Sequence, residues 1–138
     1  MTHYEIRTHI KAAPNVVWRI LTDSSTWKTW NSTIDAIDGQ IALGEKVSVK
    51  VKINPGRAFP LKVVEFTPPT RMVWADGMPL GLFKGERVYT LTPSGDDTEF
   101  FMREAFTGLL APMITRSIPD MTQAFKDFAA DLKAHAER

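Results

Sequence analysis

From residue 32 to residue 108 apolar and polar side chains alternate with a period of two, the pattern of β-strands with one buried face. The clearest run is residues 46–53, with Val47, Val49, Val51 and Ile53 on one side and Lys46, Ser48, Lys50 and Lys52 on the other. Turn signals at Asp38-Gly39, Asn54-Pro55-Gly56, Pro68-Pro69, a glycine-containing connection over 77–82 and Pro93-Ser94-Gly95-Asp96 divide the rest. They predict strands over 33–38, 46–53, 58–66, 71–76, 83–92 and 98–107. Such short connections predict an antiparallel meander.

The two ends read differently. Residues 2–11 alternate again, with Tyr4, Ile6, Thr8 and Ile10 opposed to His3, Glu5, Arg7 and His9, and predict a further strand. Pro14, suited to a first helical position, opens a short helix carrying Val17, Trp18, Ile20 and Leu21. Asp23, Ser24 and Ser25 offer capping oxygens for a second short helix over 26–31, where Trp27 and Trp30 lie one turn apart. Beyond Gly108, the residues Leu110, Ile114, Ile118, Met121, Phe125, Phe128 and Leu132 recur at steps of four and three, one stripe of an α-helix. Arg116, Asp120, Lys126, Asp127, Asp131 and Lys133 fall on its other side. Pro112 suits a first turn, but Pro119 removes a ladder hydrogen bond mid-pattern. The pattern is therefore either one kinked helix or a short helix followed by the main one from about residue 119 to 136.

A sheet with one apolar face must be covered, and only the C-terminal helix is long and apolar enough to do it. The expected fold is α+β: a strongly curved seven-stranded antiparallel sheet wrapped around a long C-terminal helix, with two short helices after the first strand. The space between sheet and helix is the candidate site. A chain of 138 residues without repeat or linker reads as one domain, 1–138. The 17 basic against 16 acidic residues leave +1, no field to attract nucleic acid. No cysteine means no disulfide and no thiolate metal site, and no run is apolar enough for a signal peptide or membrane span. A cytoplasmic location is the expectation.

Ala13-Pro14 with Val17-Trp18 and Leu21-Thr22-Asp23, then Trp27-Lys28-Thr29-Trp30-Asn31, resemble the START and pollen-allergen-like superfamily (SRPBCC), in its polyketide cyclase/dehydrase and lipid-transport branch. The stretches Pro68-Pro69-Thr70-Arg71-Met72-Val73-Trp74 and Gly108-Leu109-Leu110-Ala111-Pro112 are similar to the same branch, so the likeness covers nearly the whole chain. The resemblance implies a helix-grip fold with a deep hydrophobic cavity for lipids, polyketides, aromatic compounds or hormones. It transfers no catalytic residue, since one fold hosts many activities. It also implies that Trp27 and Trp30, on the second short helix, stand near the cavity opening.

The candidate chemistry is sparse. His3 and His9 project from the polar face of the first strand and His135 ends the last helix, so no metal site is expected and no cofactor is implied. Gly77, Gly81 and Gly85 match neither the dinucleotide nor the Walker pattern; with Met78, Pro79, Leu80 and Leu82 they suggest an apolar lid over 77–82. Trp18 reads as a core filler, and Trp74 as core or ligand wall. Phe83, Gly85, Arg87, Tyr89 and Leu91 share one face, as do Phe100, Met102, Glu104 and Phe106. Matching apolar to apolar sets Leu91 opposite Phe100 and Tyr89 opposite Met102, which puts Arg87 opposite Glu104 inside. Either this is an internal ion pair or the two residues act on a ligand.

The chain is thus expected to bind a small hydrophobic molecule through Trp27, Trp30, Trp74, Phe83, Tyr89, Phe100, Met102, Phe106, Met121 and Phe125. The rival readings are a cyclase or dehydratase in which Glu104, tuned by Arg87, moves a proton, and a protein-interaction module of the chaperone-stimulator type.

Overall fold

In the computed structural model, which describes residues 2–54 and 58–138, the alternating runs form seven strands. These are β1 (Thr2–Ile10), β2 (Ile34–Asp38), β3 (Lys46–Val51), β4 (Ala58–Thr67), β5 (Arg71–Met78), β6 (Phe83–Ser94) and β7 (Asp97–Thr107). They hydrogen-bond in the order β1-β7-β6-β5-β4-β3-β2, so the meander from β2 to β7 is completed by β1 pairing antiparallel along β7. Between β1 and β2 lie α1 (Pro14–Thr22), a single turn Ser24–Thr26 and α2 (Trp27–Trp30). Asp23 accepts from the Ser25 amide and so caps the single turn, whereas α2, expected to take its cap from Asp23, Ser24 or Ser25, begins after Thr26 without a side-chain cap.

Two bulges keep the apolar set on one face where strict alternation would lose it. In β4, Val63 opposes Trp74 but Glu65 opposes Val73, so Val64 is the extra residue and is exposed, while Phe66 returns to the inner face against Trp18. In β2 the register shifts between Ile34 and Ala36, which lets Ile34 and Ile37 oppose Val51 and Val49. The turn expected at 54–56 extends outside the described residues.

The C-terminal pattern is two helices, α3 (Ala111–Thr115) and α4 (Thr122–Ala136). The main helix starts at Thr122 and not near Pro119, because Asp120 takes the Thr122 amide and hydroxyl on its carboxylate and so caps the new start. Residues 116–121 are the break. Gly108 carries φ +110 and a Cβ there would stand 2.7 Å from the Leu82 carbonyl oxygen, so this position demands glycine for close approach as well as for its backbone.

The lid expected over 77–82 is not a loop of that length. Gly77 and Met78 belong to the β5 ladder, opposite Lys84 and Phe83. The remaining turn is tied down, with Gly81 and Leu82 carbonyls accepting from the Leu109 and Leu110 amides. Likewise the β6–β7 turn is tighter than the expected four residues, since Ser94 already pairs with Asp97.

The core runs across the inner face. Phe128 packs edge-on to Trp27 and Trp30 at 5.5 Å each, and against Tyr89 and Phe100 at 6.2 Å, joining α4 to α2, β6 and β7. We expect Phe128→Ala to destabilise the fold by about 3–5 kcal/mol. An unchanged midpoint in urea denaturation would show that α4 does not depend on this contact.

Candidate functional site

Because the helical cover is interrupted at 116–121, the inner face is not filled there, and a cavity of about 200 Å³ opens between sheet and helices. Its sheet wall is Ile34, Val49, Val51 and Leu61 on one side and Trp74, Phe83, Met102 and Phe106 on the other. The helical wall is Ile114, Ile118, Pro119, Met121, Ala124, Phe125 and Phe128, and Trp27 closes the end under α2. Polar groups are few: Asn31, Thr33, Asn54, Asp76, Arg87, Glu104 and Ser117.

The register argued from the sequence is present, with Leu91 opposite Phe100, Tyr89 opposite Met102 and Arg87 opposite Glu104. Arg87 donates from Nε and Nη2 to the two oxygens of Glu104 at 3.2 Å each, a two-point pair with side chains only 19% and 13% exposed. Burial is the largest single influence and works against the Arg87 charge, but Glu104 and, after it, Tyr89 together outweigh it, and the guanidinium is held above its ordinary value. The same guanidinium lies 5.1 Å from the Phe125 ring centre, so α4 and the ion pair position each other. Gly85 does pair with Phe106, although a Cβ would meet that ring at 3.5 Å, an ordinary contact, so space for the ring does not require the glycine.

Of the residues expected to touch a ligand, Trp27, Trp74, Phe83, Met102, Phe106, Met121 and Phe125 line the cavity, together with Arg87 and Glu104. Trp30, Tyr89 and Phe100 lie behind the wall instead. Trp30 is sandwiched by Phe128 and His135, and Phe100 is fully buried under Phe128. Tyr89 packs between Trp74 and Phe128 beside Arg87; burial pushes its phenol up to about 12, and the Arg87 charge offsets only part of that. Periodicity could not show this, because it says which residues face inward and not how deep each one sits. Three polar wall residues that sequence reasoning did not assign to the site are of two kinds. Asp76 follows Met72 and Trp74 on one strand face, so alternation carried its signal, whereas Asn31 and Thr33 are placed by a turn with no periodic signature.

Trp27 and Trp74 stack at 5.5 Å, and both indole N–H groups are used, by the Leu21 carbonyl and the Met72 sulfur. His9 does not stand free on the outer face. One ring nitrogen meets Glu99 and the other Asp97; against two ionised carboxylates both nitrogens can donate only when the ring is protonated, so the pair favours the imidazolium form. The Glu99 bond, followed by the Asp97 bond, raises its pKa. Among the described residues no group of His, Asp and Glu is arranged to hold a metal ion.

The description "Polyketide cyclase / dehydrase and lipid transport" matches residues 1–137. The chain belongs to this family. A relative within reach of sequence comparison is "Oxopyrrolidines biosynthesis cluster protein O" of Penicillium oxalicum, 30% identical over 121 residues, covering 66% of this chain and 60% of that protein. The chain thus spans less than two thirds of that relative's length. Among solved structures, a hypothetical protein of Helicobacter pylori superposes with a TM-score of 0.79 at 15% identity, covering 99% of this chain and 88% of the other. DynU16, from the dynemicin biosynthetic locus, gives 0.71 at 16% identity over 98% of this chain and 47% of its own. At such identities the structures share the fold, here the helix grip of a curved seven-stranded sheet and a C-terminal helix. Among the described residues no helix of this family member is long and apolar enough to cross a membrane.

Two outcomes are expected from this geometry. Arg87→Met should destabilise by about 3 kcal/mol, because Glu104 loses its partner in a half-dry wall; adding Glu104→Leu should recover much of that loss in chemical denaturation. A double variant as unstable as the single one would show that the wall needs the charges. The His9 pKa is raised in the folded state, so its clamp stabilises fully below the unfolded value of 6.5 and is lost as pH rises through the higher folded value. His9→Gln should therefore flatten the fall in thermal stability above pH 6.5, measured against wild type across that window.

Proposed function

We propose that this domain binds one small, mostly apolar molecule, a lipid, polyketide or aromatic compound, in the cavity between the sheet and α4. The observation that carries the reading is the wall itself: a continuous apolar lining from six strands and three helices, interrupted by a handful of polar groups. Water gains little in such a space, whereas an apolar ligand removes both its own surface and the wall's from solvent. Two relatives named for biosynthesis clusters support a biosynthetic intermediate or product as the ligand.

The pair Arg87–Glu104 serves this reading as a wall that is polar but neutralised. Both Glu104 oxygens already accept from Arg87, which suits holding a ligand's orientation better than taking a proton from it. A carrier or binding role is therefore favoured over proton-transfer chemistry.

The test uses 2-ethylnaphthalene as a probe and the methionine methyl groups as reporters. Met102 and Met121 line the cavity, while Met78 and Met113 are exposed elsewhere and serve as controls. Saturable movement of the first two methyl resonances is expected, and Ala124→Trp, which puts an indole into the same space, should abolish it. Native mass spectra of freshly purified protein should in addition show a retained small molecule. Methyl resonances that stay fixed at probe saturation, with no retained mass, would overturn the binding reading.

A further inference from the structure

Asn31 is 2% exposed and lines the cavity at the end closed by Trp27. Its side chain is half used. Oδ1 accepts from the Thr33 amide at 2.9 Å and from the Thr33 hydroxyl at 2.6 Å, while the buried Nδ2 has no hydrogen-bond partner. The two ends of the amide cannot be exchanged, because an NH₂ group could not accept from the Thr33 N–H. The donor is therefore fixed in orientation, and its surroundings are rigid: the Asn31 amide bonds back to the Trp27 carbonyl, and Ser32 is held to α4 by two bonds to Asp131. A buried donor without a partner costs free energy that a ligand acceptor would return.

The charges on the wall define what that acceptor can be. Among the described residues of the wall, Asp76 and Glu104 stand against one cation, Arg87, which Glu104 already engages through both oxygens. These described groups sum to a net negative wall, which opposes an anionic ligand and does not oppose a neutral oxygen. We infer that Asn31 Nδ2 is a specificity-determining donor that selects, among apolar molecules, those carrying a neutral carbonyl oxygen such as a ketone, ester or amide. The inference rests on the reading that the cavity takes an apolar molecule, and it adds the functional group that molecule must present.

The experiment compares two nearly isosteric probes, 2-acetylnaphthalene and 2-ethylnaphthalene, on the full chain, with dissociation constants from the Met102 and Met121 methyl shifts. The wild type should bind the ketone about tenfold more tightly, the range of one buried hydrogen bond. Asn31→Asp keeps an oxygen for Thr33 but replaces the donor by an acceptor, and should erase the preference, read as the ratio of the two dissociation constants. In the wild type, the Asn31 side-chain ¹⁵N–¹H signal should move downfield with the ketone and not with the hydrocarbon; this reading holds whether or not the variant folds. Equal affinities in the wild type, a preference that survives Asn31→Asp, or an Asn31 amide signal indifferent to the ketone would each overturn the role of Asn31 while leaving the cavity reading intact. Failure of both probes to move Met102 and Met121 would overturn both.

Discussion

Phe128 is the contact on which the rest of the arrangement depends. Its ring touches two indoles from α2, a phenol from β6 and a phenyl ring from β7, so one side chain fixes how far α4 stands from the sheet and where α2 sits. Aromatic pairs tolerate tilted and edge-on contact, which lets rings from four elements meet without matching backbone directions. The standoff they set at the middle of α4 leaves space toward its start, where Phe125 is the next inward ring and the helix has only just begun. Packing and cavity are two consequences of the same contact.

The interruption before α4 is the second half of that account. A continuous helix from Ala111 to Ala136 would lay side chains along the whole inner face, as the uninterrupted stripe in the sequence suggests. Instead the chain leaves helical geometry, and Ile118 and Pro119 form part of the wall. Proline withholds one amide and Asp120 accepts from the Thr122 amide, so the helix starts three residues beyond the expected position, and local chemistry and cavity formation are linked. The tie from Gly81 and Leu82 to Leu109 and Leu110 fixes the same region from the sheet side, and Gly108 makes that approach sterically feasible.

Polar groups in the wall follow two different logics. Arg87 and Glu104 satisfy each other, so they give the wall a dipole and a shape without demanding a partner. Asn31 satisfies only one end of its amide within the chain. The contrast is between groups that satisfy each other within the chain and a group that leaves one buried donor over.

Strand periodicity, helix periodicity and turn residues are local properties, and from them the α+β class, the order of elements and even the Arg87–Glu104 register were legible. Register could be argued because a slip by one residue would turn every side chain on β7 to the wrong face. Family likeness rested on short motifs at the same local level. Depth was not legible: Trp30, Tyr89 and Phe100 share the inward direction of Trp27, Arg87 and Met102, and only the placement of Phe128 put the first three behind the wall. The bulge at Val64, the pairing of β1 with β7 and the two carboxylates around His9 also required the assembled sheet, since each joins residues whose partners are set by strand order. Asn31 is the sharpest case. Its identity was in plain view after Trp30, but that its amide would be half satisfied and buried in a cavity wall depended on a turn against α4, which no periodicity encodes.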